Sequence, residues 1–124
     1  VSGKRNRNAG NSYERKIKNE LNKLFNGSDY RTTREVSRFK DAKGIDLIDI
    51  NGKGWFSVQC KNTVNFPKLD GINFVTDEGY PNILFWKRTK NVNGRFMPRG
   101  EYVVMKKEDF YELLEKCRRC CNDR

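Results

Sequence analysis

The chain has no histidine, no apolar run near the roughly 20 residues that a membrane-spanning helix needs, and no apolar core in its opening VSGKRNRNAGN. No membrane partner is therefore expected, and the expected location is intracellular, not secreted. The cysteines form no spaced framework: Cys60 stands alone, while Cys117, Cys120 and Cys121 crowd the end of the sequence. A CxxCC cluster on a helix offers three crowded thiols instead of two separated pairs, so reduced core or rim cysteines are expected over a zinc site. There is also no internal repeat, low-complexity tract, helix-turn-helix pattern, RNA-recognition motif or zinc finger, and hence no recognisable device for reading bases.

Positive charge is plentiful. Lys and Arg number 26 against 16 Asp and Glu, a formal net charge of +10, which points to a polyanionic partner and most often to nucleic acid. At 124 residues the chain holds one core and not two, so a two-domain enzyme is excluded.

Residues 1–10 are basic, polar and Gly-containing and read as a flexible arm, leaving residues 11–124 as a single domain. Asn11 or Ser12 then caps a helix to about Asn26, with Tyr13, Ile17, Leu21, Leu24 and Phe25 as its apolar face and Gly27 as its stop. Strands are expected over about 30–36, 45–50 and 55–61, with Asn51-Gly52 and Gly54 turning between the last two. The spacing of Leu69, Ile72 and Val75 suggests a short helix within 66–81, broken up by Gly71, Gly79 and Pro81. Two more strands, about 82–90 and 95–105, flank Asn93-Gly94, and a final helix covers about 106–121. In that helix Phe110, Leu113, Leu114, Cys117 and Cys121 make one stripe expected to be buried. The order of elements gives an α/β or α+β arrangement of packed layers.

Four residues stand out within this frame. Glu14 falls in the stripe of Ile17, Leu21 and Phe25, so its carboxylate is expected to point inward; the competing reading is a capping box with Asn11. Asp46 opens a strand just after Gly44, which allows close approach beside it. Gln59 and Lys61 are two apart in the next strand and share a face, and the intervening hairpin brings them alongside Asp46. Asp46, the Gln59 amide oxygen, the Cys60 backbone carbonyl and Glu14 together form a hard-oxygen set suited to Mg²⁺, with Lys61 beside it.

The segments NSYERKIKNEL, TTREVS, GID and VQCKNT, in that order, resemble the PD-(D/E)xK nucleases, and among them the archaeal and phage-type Holliday junction resolvases. The resemblance covers about residues 10–63. It implies a restriction-endonuclease-like core, a central mixed sheet flanked by helices, with Glu14, Asp46, Gln59 and Lys61 as the active-site quartet. It further implies Mg²⁺ as cofactor with Mn²⁺ as a substitute, Arg34 or Ser37 on the scissile phosphate, four-way or other branched DNA as substrate, a homodimer, and a phage or mobile-element setting. Gln59 departs from the pattern, which has Glu or Asp there; an amide oxygen still ligates a metal but lacks the charge that strengthens the bond.

The cations expected to track a DNA backbone are Lys4, Arg5 and Arg7 in the arm, Arg31, Arg34, Arg38, Lys40 and Lys43 around the first strand, and Lys87, Arg88, Lys90, Arg95 and Arg99 along the second hairpin. Trp86 and Phe96 are either core or stacking residues. Three rival readings are a nuclease of the same fold acting on other DNA, a catalytically inactive DNA-binding module, and an RNA-associated basic protein.

Overall fold

Tyr13, Ile17 and Leu21 recur every fourth residue, and that spacing puts all three on one helix face, where they are buried against a sheet. In the computed structural model, residues 2–36, 43–52 and 55–122 are described, with backbone alone for 2–9 and 121–122. The helix that carries these three, α1, runs Ser2–Leu24. It therefore starts before Asn11, and residues 2–10 continue it instead of forming a separate arm. Lys4, Arg5, Arg7 and Ala9 are good helix formers and no proline intervenes, so extending the helix is easy. Gly27 ends it at φ +88°, as expected, but Leu24 is exposed.

The Asn22 side chain then fastens the helix to the first strand, β1 (Tyr30–Thr32), by accepting from Tyr30 N–H at 2.6 Å and donating to Tyr30 C=O at 3.1 Å. β1 stops well before Val36. Thr33 still continues the ladder, its N–H donating to Asp46 C=O, while its hydroxyl donates to Ile45 C=O, and the chain turns there, Thr33–Val36 forming one helical turn, α2.

β2 (Leu47–Asp49) pairs antiparallel with β1, and β3 (Ser57–Thr63) pairs antiparallel with β2. β3 then runs parallel to β4 (Asn82–Val92), which forms an antiparallel hairpin with β5 (Arg95–Val104). Asn93 and Gly94 both take positive φ at the hairpin turn, as an Asn-Gly connection favours. The sheet order is β1-β2-β3-β4-β5, and the last helix, α3, spans Lys107–Asn122. The fold is thus α+β, a five-stranded mixed sheet with flanking helices, consistent with a restriction-endonuclease-like core.

Two expectations fail in the connecting pieces. The segment between β3 and β4 holds only a 3₁₀ turn at Leu69–Gly71, with Leu69 and Val75 exposed. Beyond it the chain turns at 76–80 under a Val75–Pro81 bridge, and Asn82 ties the segment down: its amide donates to the carbonyls of Asn73 and Gly44, and its oxygen accepts from Ser57. In α3 the expected buried stripe is uncovered among the described side chains: Phe110 and Leu114 are about half exposed, Cys117 is exposed and Leu113 is half-buried, while the side chain of Cys121 lies outside the described residues. The helix meets the body instead through Lys116, whose ammonium sits 4.5 Å from the centre of the Trp55 ring.

Candidate active site

Leu47 faces Val58 across β2 and β3, and Asp46, the residue just before β2, stays bonded along the same edge of β3. Asp46 N–H donates to Val58 C=O at 2.8 Å, and its carboxylate Oδ2 accepts Cys60 N–H at 2.7 Å. The side chain therefore takes over the hydrogen bond that the next residue of a longer β2 would make. Because a strand residue's C=O points to the same side as its N–H, the Cys60 carbonyl also faces the Asp46 edge.

Gln59 and Lys61 emerge from one face of β3, while Val58 and Cys60 face α1. Gln59 is 5% exposed, and its Oε1 has no hydrogen-bond partner among the described residues. Such an orphaned oxygen is costly unless something binds it. Beside it lies Gly44, at φ +79°, where an added Cβ would come within 3.2 Å of Gln59 Nε2. The close approach expected at this glycine is thus made by the Gln59 side chain.

Glu14 reaches the strand from α1. Its side chain is 12% exposed and pairs with the Arg34 guanidinium, which also donates to Asn11 Oδ1. Asn11 lies inside α1 and cannot cap it, so the capping-box reading of Glu14 falls. Burial, then the Asp46 carboxylate, then that of Glu14 push the Cys60 thiol up from its ordinary range. The helix acid and the strand acid thus both act on Cys60, Glu14 from the α1 face and Asp46 from the strand edge.

The remaining expected contacts divide. Arg34 is engaged by Glu14 and Asn11, and Lys43 by Asp77. Lys61, Lys87 and Arg88 line open hollows, and Arg95 is exposed at the start of β5. Ser37, Arg38 and Lys40 lie outside the described residues, as do the side chains of Lys4, Arg5 and Arg7. Trp86 is core: it is 7% exposed and donates from Nε1 to Thr63 Oγ1 at 2.9 Å. Phe96 is 61% exposed.

Three positioning residues escaped the sequence reading. Thr33 holds the backbone at Ile45 and Asp46, Asn82 holds Gly44, and Asn11 holds Arg34. Only a polar residue at the head of an apolar strand, NILFW, hinted at Asn82.

Among the described residues no three of His, Cys, Asp or Glu gather as a metal cluster. The oxygen set on the β2–β3 edge is one carboxylate, one amide oxygen and one backbone carbonyl, with Glu14 on the α1 side. This donor set and the buried, unpartnered Gln59 oxygen fit a hard divalent cation such as Mg²⁺. No helix of the described residues is long and apolar enough to cross a membrane. Comparison with protein-family models, curated proteins and solved structures finds no match for the chain.

Proposed function

We propose that the protein is a metal-dependent endodeoxyribonuclease of the PD-(D/E)xK kind, acting on branched DNA in the manner of a Holliday junction resolvase. The observation that carries this reading is the buried Gln59 oxygen, which lacks a partner among the described residues, on a strand whose flanking Val58 C=O and Cys60 N–H are both bonded to Asp46, with Lys61 two residues further along the same face. Asp46, Gln59 and the Cys60 carbonyl would hold Mg²⁺, or Mn²⁺ in its place, and Glu14 would join them only by leaving Arg34 and coming round from the α1 side. Such an ion, when bound, supplies Lewis-acid charge to a phosphate oxygen and lowers the pKa of water.

The chain's own residues do the rest. Lys61, which makes no ion pair among the described residues, offers its ammonium where negative charge grows on the phosphate. One such donor is typically worth about 2.7–4 kcal/mol of barrier, so Lys61→Ala abolishes practical turnover and leaves DNA binding largely intact. A junction needs two symmetric cuts and each chain has one site, so the active form is a two-fold dimer. The uncovered side chains Phe110 and Leu114 of α3 and the edge strand β5 are candidates for its interface.

The test is a labelled four-way junction incubated in Mg²⁺, Mn²⁺ and EDTA, with Asp46→Asn alongside. Paired symmetric nicks that require metal and vanish in the variant are expected. Equal product in EDTA ends the metal mechanism, and preference for linear duplex ends the resolvase assignment.

A further inference from the structure

Six cations line three hollows around one short loop; the acid nearest to them in the sheet, Glu101 opposite Lys87, is taken by Lys16. Three hollows meet at Val64, just beyond β3. The first is lined by Lys87 and Phe96, the second by Lys61, Phe66 and Lys68, and the third by Arg88, Lys90 and Arg99. No Asp or Glu lines any of the three, and none of the six cations forms an ion pair among the described residues. Elsewhere on the protein basic residues do find acids: Arg31 pairs with Asp29 and Lys43 with Asp77. Six cations left together without acids repel one another, an arrangement that favours a polyanion.

Two exposed aromatic rings lie along the same path. Phe66 is 53% exposed and stands edge-on to Trp86, at 5.1 Å between ring centres, so it is braced from behind by a buried partner. Phe96 is 61% exposed in the Lys87 hollow on the α1 side of the sheet, Phe66 lies on the other side, and the two hollows meet around the end of β3 at Thr63 and Val64. A groove of cations with intervening exposed rings is what an unpaired strand needs, because its phosphates follow charge and its bases have faces open for stacking. Double-helical DNA has its bases already stacked and would leave both rings unused.

We infer that this groove, from Lys61 to Arg99 around Val64, holds a single-stranded nucleic acid segment, with phosphates on the cations and bases against Phe66 and Phe96. The inference rests on the proposed nuclease reading for one point, that the Lys61 end of the groove is where a strand is cut. Joined to it, the substrate is a branched nucleic acid whose strand is unpaired at the branch point next to the cut.

Binding in EDTA separates the two claims, since no cutting is needed. Fluorescence anisotropy with a labelled oligodeoxynucleotide, the same sequence as RNA, and a blunt duplex is read for the wild type, Phe66→Leu, Phe96→Ala and Lys87→Ala, each checked for fold by circular dichroism. The expected result is weaker single-strand binding by about tenfold in each Phe variant with duplex binding unchanged. In Lys87→Ala the slope of log affinity against log salt falls by about 0.7, one phosphate contact to a single strand. The DNA and RNA arms show which strand chemistry the groove prefers. If both Phe variants bind the oligonucleotides like the wild type, the groove inference is wrong, whatever the protein cuts. If ring-dependent binding is found and no branched DNA is cut in Mg²⁺ or Mn²⁺, the inference stands and the nuclease reading falls.

Discussion

Glu14 on α1 and Arg34 on α2 form an ion pair between two elements, and Arg34 also donates to Asn11 on the same helix. The Glu14 carboxylate is largely withdrawn from water, so this cation matters more than one on an open surface. Glu14→Gln and Arg34→Met, measured singly and together by urea denaturation, should give a coupling energy of about 1 kcal/mol. Strict additivity would mean that the pair contributes nothing to holding α2 against α1.

Gly44 and Gly79 both take positive φ, but only Gly44 has a side chain against it, that of Gln59. Alanine at either position meets backbone strain, and Gly44→Ala also has to displace the Gln59 amide. Gly79→Ala should cost about 1 kcal/mol, with Gly44→Ala clearly more destabilising in the same thermal-unfolding assay. Equal losses would remove the steric role given to Gln59.

Gln59→Glu puts a carboxylate where the orphaned amide oxygen now lies, on the strand to which Asp46 is bonded. Without metal this buried charge should destabilise the fold at neutral pH by about 1–3 kcal/mol. The new carboxyl's pKa is raised in the folded state. The variant should therefore match the wild type below the ordinary Glu range and lose stability as pH rises through it. Added Mg²⁺ should restore its melting temperature and, in the proposed nuclease, increase cutting. A melting temperature blind to both pH and Mg²⁺ would show that the position binds no cation.

Cys60 is held protonated by burial and by the two nearby carboxylates, whereas Cys117 and Cys120 are exposed. Brief iodoacetamide treatment followed by mass spectrometry should label Cys117 and Cys120 well before Cys60. The folded pKa of Cys60 lies above the ordinary 9.0, so its contribution is fully present below that pH and is lost as pH rises beyond it. Tyr13 and Tyr30, also raised by burial, act in the same direction above their ordinary 10.0. Stability should thus fall steeply above about pH 9, by up to about 1.4 kcal/mol per pH unit for each group, and less steeply in Cys60→Ala.

What the sequence made legible was local. The Asn93-Gly94 hairpin, the Gly27 stop and the stripe of Tyr13, Ile17 and Leu21 each depend on neighbours within one element. The juxtaposition of Asp46 and Gln59 was legible for the same reason, since one short connection joins their strands. The start of α1 was missed because Asn11 looks like a cap, and no local rule shows that its side chain is taken by Arg34 instead. Leu69, Ile72 and Val75 imitate a helix, but the tertiary bonds of Asn82 tie the segment down instead. In α3, periodicity identified an apolar face and carried no information about what would cover it.

β3 shares one residue pair with β2, Leu47 and Val58, and seven with β4, from Ser57 with Asn82 to Thr63 with Arg88. The strand bearing Gln59 and Lys61 therefore owes most of its order to a segment that is synthesised later. A nascent chain that has just cleared Lys61 already contains every residue of the proposed quartet but lacks the strand that supplies most of the backbone pairing of β3. Assembly waits on the arrival of β4, so proteolytic nicking between Val64 and Pro81 would turn one cooperative unfolding event into the separation of two fragments.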